Sequence, residues 1–106
     1  MPASISAQAL SDQLETTQVV DVRRRPAFDA SQAMIATATW RDPAQVAIWY
    51  RELDRQISVV VYCVHGHEVS QGCAAYLENA EFRVAYLEGG FAHWNEEGRL
   101  IQAKQA

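Results

Sequence analysis

Hydrophobic positions along this chain fall into short blocks of two kinds. Val19-Val20-Asp21-Val22 and Ser58-Val59-Val60-Val61-Tyr62 are rich in β-branched residues and predict strands. The second run is apolar without alternation, the pattern of a strand covered on both faces. Arg83 to Leu87 predicts a third strand. Between them, apolar residues recur at helical spacing. Ser6 is placed to cap a helix over Ala7 to Leu14, with Ala9, Leu10 and Gln13 in phase. Asp42-Pro43 opens another helix, an acid at the cap and proline in the first turn, with Val46, Trp49 and Leu53 on one face. Ser70 to Asn79 puts Cys73, Ala74 and Leu77 on a core face. After a Gly89-Gly90 turn, Phe91 to Glu97 forms a last helix that Gly98 closes. Arg23 to Thr39, with Pro26 near its start, follows neither period and is expected to be irregular.

Strands alternating with helices predict an α/β domain, a small, mainly parallel sheet with helices on both faces. The 106 residues suffice for one such domain, and 49% hydrophobic with 21% charged residues is the composition of a folded chain. Nine basic against thirteen acidic residues give a net charge of -4, which counts against nucleic acid or an anionic membrane as partner. No apolar run reaches the ~20 residues of a membrane span. The first residues lack the basic start and apolar centre of a secretory signal, so a cytoplasmic location is expected. With no heptad pattern or large apolar stripe, a monomer is the default expectation.

In parallel sheets, chemistry gathers beyond the carboxyl ends of the strands. That rule brings together Arg23 to Arg25, Cys63 to Val69 and Glu88 to Gly90. Two cysteines are too few for a disulfide framework. The segment Cys63-Val64-His65-Gly66-His67-Glu68-Val69-Ser70 joins the best strand to a helix. Glycine within it lets backbone N–H groups curl around one point, and the helix adds its positive end. A thiol held there is favoured as thiolate, which makes Cys63 a candidate nucleophile. Position alone is equally compatible with a small buried residue ending a strand. Cys73 reads as core, with a resolving thiol the less favoured role. Cys63, His65, His67 and Cys73 can all bind metals, but C-x-H-x-H matches no common zinc spacing, and no metal is expected. His65 and His67 read as loop residues beside the sulfur, and His93 as structural. Ser70 suits the helix N-cap better than a donor to sulfur.

Three motifs, VVDVR at Val19–Arg23, VVVYCVHGH at Val59–His67 and YLEGGFAHW at Tyr86–Trp94, stand in an order that resembles the rhodanese-like sulfurtransferase family. The resemblance covers nearly the whole chain and implies a single rhodanese-like domain over residues 1–106. It implies that Cys63 carries a persulfide and that Val64, His65, Gly66, His67, Glu68, Val69 and Ser70 form the active-site loop. Asp21 and Arg23 would help shape the site, although a structural ion pair fits them equally. A cation for an anionic donor would come from Arg23, Arg24, Arg25 or Arg41, positions where arginines are commonly solvated or paired. Trp40 and Trp94 are assigned to packing.

The chain also departs from the family pattern. Met34 to Ala38 stands where the family often has a His-Ile-Pro-Gly-Ala type segment. Counted from Cys63 to Val69, the loop is one residue longer than in typical sulfurtransferases and similar to those of rhodanese-fold phosphatases and arsenate reductases. Those loops close with an arginine that forks onto the oxyanion, whereas here Val69 and Glu68 occupy the region. Charge therefore favours sulfur transfer over phosphate chemistry. The implied function moves a sulfane sulfur from thiosulfate or a persulfide donor to a thiol or protein acceptor through a Cys63 persulfide, without a cofactor and with ping-pong kinetics. The loop has no permanent cation, so modest use of thiosulfate is expected. A sulfur-relay or interaction module without a small substrate is the alternative.

Overall fold

The computed structural model describes residues 2–104. In chain order the elements are β1 (Ala3–Ile5), α1 (Ala7–Ser11), β2 (Gln18–Asp21), α2 (Arg25–Ala30), β3 (Ala33–Ile35) and β4 (Thr39–Trp40). They are followed by α3 (Val46–Trp49), β5 (Val59–Tyr62), α4 (Glu68–Asn79), β6 (Val84–Leu87), α5 (Gly90–Glu96) and β7 (Ile101–Ala103). Five strands form one sheet in the order β1-β6-β5-β2-β4, and every pairing in it is parallel. β3 and β7 make a separate antiparallel pair.

The central strand explains its own composition. Side chains alternate across a sheet, so Val60 and Tyr62 enter one core while Val59 and Val61 enter the other. The first core holds Leu10 of α1, Trp94 of α5 and Ile35 of β3. The second holds Trp49 of α3 and Cys73, Ala74 and Leu77 of α4. All four β5 residues are buried, which is why no polar position interrupts the run. Each buried side chain of this size contributes roughly 1.5–3 kcal/mol.

Several elements differ from the sequence expectation. The first helix ends at Ser11 and gives way to a 3-10 turn at Leu14–Thr16; Ser6 caps it, accepting from the Ala9 N–H at 3.1 Å. The stretch expected to be irregular contains α2, with Pro26 in its first turn, and two short strands. The Asp42 side chain does accept a cap bond, from the Ala44 N–H at 2.9 Å. The helix it opens is nevertheless divided among Pro43–Gln45, Val46–Trp49 and Tyr50–Glu52, the outer two segments being 3-10 turns. Among the described residues, no helix is long and apolar enough to cross a membrane.

Candidate active site

Cys63 follows directly on β5, and α4 begins at Glu68 rather than at the expected Ser70. Glu68, Val69 and Ser70 are thus the first turn of the helix, and the irregular turn is Cys63 to His67. The loop-length comparison, which counted through Val69, runs into this helix.

Two glycines make the turn possible. Gly66 has φ +76, and a Cβ there would lie 2.6 Å from the Leu87 carbonyl oxygen. Gly90 has φ +59, and its Cβ would lie 2.5 Å from the Cys63 carbonyl oxygen. The backbones of the cysteine turn and of the turn into α5 therefore run in contact, which only glycine permits.

That contact decides where the turn's peptide groups point. The Phe91 N–H donates to the Cys63 carbonyl and the Ala92 N–H to the Val64 carbonyl, both at 2.9 Å. The Gln71 side-chain amide donates to the Gly66 carbonyl at 3.1 Å, and the Gln71 N–H to the His67 carbonyl at 3.0 Å. In a trans peptide the following N–H opposes the carbonyl. With the Cys63 and Val64 carbonyls fixed on α5, the Val64 and His65 N–H groups face away from it. Among the described residues, the N–H groups from Val64 to Ser70 have no protein partner. Those of Glu68, Val69 and Ser70 are also the open donors of a helix start.

The cleft lies on the side away from α5. It has a volume of about 280 Å³ and is lined by Arg23, Arg24, Ala27, Cys63, Val64, His65, His67, Glu68 and Val69. Cys63 is 6% exposed at its wall. Its Sγ lies 3.2 Å from Oγ of the buried Ser70, and that oxygen lies 3.4 Å from the His67 carbonyl. The thiol donates to Ser70; the hydroxyl can rotate to donate to a thiolate instead. Ser70 is therefore not the N-cap, a position that His67 occupies without a side-chain cap bond. The His65 and His67 rings are 6.4 Å apart. Unpartnered amides, a helix start and a hydroxyl around one sulfur make a setting for an anion on that sulfur.

The arginines divide sharply. Arg23 is buried, and its Nε and Nη2 donate to the Asp21 carboxylate at 2.7 to 3.1 Å, with Nη2 also reaching the Ala33 carbonyl at 2.9 Å. The Tyr62 hydroxyl donates to the same carboxylate at 2.8 Å and accepts from the Ile35 N–H at 3.0 Å. Burial, reinforced by the Asp21 charge, pushes the Tyr62 hydroxyl well above its ordinary value. The Arg23 guanidinium also stacks 4.5 Å from the Phe91 ring centroid, bracing the residue whose N–H holds Cys63. Arg23 and Asp21 thus form a buried ion pair in the wall of the cleft.

Arg24 stays exposed, 3.8 Å from the exposed carboxylate of Glu68. Arg25 pairs with Asp29 along α2. Arg41, expected to support the site, does not line the cleft: Glu52 draws its guanidinium away, and its N–H donates to the Asp21 carbonyl at 2.9 Å. Trp40 stacks on Phe28 with centroids 5.0 Å apart, Trp94 is wholly buried, and His93 pairs with Glu97 at 3.2 Å. Sequence reasoning did not find Gln71 or Ala27. Gln71 lies outside the quoted motifs, and Ala27 comes from a helix that buries no residue and so shows no periodicity.

Cys73 faces the second core, 4% exposed. Its thiol is pushed up to about 12, first by burial and then by the nearby Cys63 and Asp42. It remains a neutral thiol at ordinary pH. Among the described residues, no three His, Cys, Asp or Glu side chains gather where a metal ion could sit.

A parallel α/β sheet here presents a cysteine at the mouth of its central strand, in a turn of unpartnered amides that favours an anion on sulfur. The rhodanese-like domain family model matches residues 6–97, so the chain belongs to that family. It is 39% identical over 89 residues to the thiosulfate sulfurtransferase GlpE of Pseudomonas fluorescens, covering 83% of this chain and 77% of that one. It is 32% identical to a sulfurtransferase of Allochromatium vinosum, covering 99% of both chains. Among solved structures, a rhodanese-related protein from Thermoplasma volcanium superposes with a TM-score of 0.84 at 25% identity, over 94% of this chain and 97% of that one. The protein is a sulfurtransferase of the rhodanese family.

Proposed function

We propose that the protein carries a sulfane sulfur on Cys63 between a small anionic or persulfide donor and a thiol acceptor. The Cys63 thiolate attacks the outer sulfur of the donor. With thiosulfate, the S–S bond breaks and sulfite leaves with the electron pair. The acceptor's thiolate then attacks the terminal sulfur of the Cys63 persulfide, releasing Cys63 as thiolate and leaving a persulfide on the acceptor. One covalent intermediate serves both halves, so the kinetics are ping-pong.

The observation that carries this reading is the orientation of the turn. The Cys63, Val64, Gly66 and His67 carbonyls are bonded within the fold. Among the described residues, the N–H groups from Val64 to Ser70 have no protein partner, those of Val64 and His65 facing away from α5 beside the cleft that Cys63 lines. Fixed amides need no reorganisation when negative charge moves onto the outer sulfur. Ser70 adds a donor that can follow the proton. Arg23 is neutralised by Asp21, leaving the exposed Arg24 as the permanent cation for a donor's oxyanion. Thiosulfate is accordingly a usable but modest donor, and a persulfide donor serves at least as well.

The test is intact-mass measurement after exposure to thiosulfate. The expected result is a gain of one sulfur atom, lost on adding cyanide with release of thiocyanate, and absent in Cys63→Ala. A protein that gains no sulfur from thiosulfate or from polysulfide overturns the proposal.

A further inference from the structure

Beside the Cys63 cleft lies a larger groove of about 490 Å³ that the chemistry above leaves unused. Arg24 and Val69 line both spaces, so the two adjoin across the first turn of α4. The groove then continues along α4 over Gly72 to Tyr76, with Arg25 and Asp42 among its walls.

Gly72 calls for an explanation. Glycine inside a helix is destabilising relative to alanine. A positive φ would justify it, but Gly72 is not among the positive-φ glycines. Close packing would also justify it, but a Cβ at this position meets nothing within 4 Å. Nothing within the chain therefore requires glycine. What the missing side chain provides is depth in the groove floor.

Size and charge indicate what uses that depth. Thiosulfate and cyanide are only a few atoms each and have no need of a second space. Two guanidiniums, Arg24 and Arg25, stand against one carboxylate, Asp42, which is already bonded to the Ala44 N–H at 2.9 Å. The contacts of Arg24 with Glu68 at 3.8 Å and of Arg25 with Asp29 at 3.1 Å are both exposed, pairs that an anionic ligand displaces at little cost. Beyond them, Val69 and Tyr76 offer apolar surface.

We infer that this groove receives the body of a short, acidic cysteine peptide whose thiol accepts the sulfur from Cys63. Its carboxylate meets Arg24 and Arg25, its backbone crosses Gly72, and its far end rests against Tyr76. This inference rests on the sulfur-transfer reading. The peptide thiol loses its proton to water, its thiolate attacks the outer sulfur of the persulfide, and Cys63 departs as thiolate, with no net oxidation.

The experiment loads the full chain from thiosulfate and measures discharge into glutathione, 2-mercaptoethanol and cyanide. Gly72→Leu should raise KM for glutathione about tenfold or more with kcat little changed, while loading and cyanide discharge stay within about twofold. Arg25→Glu should raise KM for glutathione about threefold or more and leave 2-mercaptoethanol unaffected. If Gly72→Leu loads normally and its KM for glutathione is unchanged, the groove assignment is overturned. If Gly72→Leu fails to fold, Arg25→Glu decides, and no glutathione-specific change there overturns it as well. A wild type that never loads sulfur refutes the underlying sulfur-transfer reading instead.

Discussion

Cys63 and Cys73 are similarly covered, 6% and 4% exposed, yet their surroundings differ in kind. Cys73 projects from the middle of α4 into a core of Val20, Val61 and Leu77. The helix around it has spent its N–H groups on its own carbonyls, so nothing offsets the cost of a buried charge. Cys63 sits where a strand stops, before the next helix has begun, and the backbone there still has donors to offer. Burial alone therefore does not decide whether a cysteine is inert. The two sites differ in whether the adjacent peptide N–H groups are already bonded.

The largest break in that contrast comes from removing each sulfur in turn. Cys63→Ala should lower sulfur transfer by about a thousandfold or more, whereas Cys73→Ala should stay within about twofold, both read as thiocyanate formation. Equal losses would erase the distinction between the two sites.

Next in size is the contact that turns the carbonyls outward. Gly90→Ala would place a Cβ 2.5 Å from the Cys63 carbonyl and force a residue at φ +59. A cost of about 1–3 kcal/mol in chemical denaturation is expected, with activity falling even where the protein remains folded. A folded, fully active Gly90→Ala would show that the turn does not need this support.

Ser70→Ala is expected to have a milder effect. Removing one hydroxyl beside the sulfur should cost about 0.5–1.5 kcal/mol of transition-state stabilisation, roughly two- to tenfold in kcat/KM. The loss should appear in kcat/KM for several different donors.

Smaller still is the pH signature of Cys73. Its thiol is raised from an ordinary value near 9 to about 12, so the folded state keeps a proton that the unfolded chain releases. The stabilisation is complete below about pH 9 and disappears as the pH climbs toward about 12. Relative to Cys73→Ala, the wild type should lose denaturant stability across that window. Parallel pH profiles for the two proteins would contradict the burial of this thiol. Arg41→Gln should have the least effect on activity, because Glu52 holds that side chain away from the cleft.

Much of this was legible in the sequence where one physical requirement dominated. The uninterrupted apolar run of β5 could be satisfied only between two cores, and that fixed both the sheet and the exit point of Cys63. Asp21 and Arg23 were identified as a pair, with their structural role left open between two readings. Elements held by tertiary contact were not legible. β1 is three residues with one large apolar side chain and exists because β6 offers it an edge. α2 buries no residue, so its periodicity was silent, although Pro26 in its first turn was a usable signal. β3 and β7 depend on pairing partners far apart in the chain.

Around the cleft, the place of Cys63 at the end of β5 and the left-handed backbone of Gly66 could be read because strand-loop-helix geometry restricts what can stand there. Arg41 could not, since sequence order does not reveal that Glu52 draws it away. For Ser70 the cap was favoured over the contact with sulfur, because α4 starts one half-turn earlier than its hydrophobic spacing suggests, turning a capping position into an inward-facing one.

The most direct measurement is a crystal structure of the protein after sulfur loading. Electron density is expected for one extra atom on Cys63 Sγ, within hydrogen-bonding distance of backbone N–H groups between His65 and Ser70, with Cys73 unmodified. An outer sulfur turned away from those amides, or attached to Cys73, would contradict that expectation.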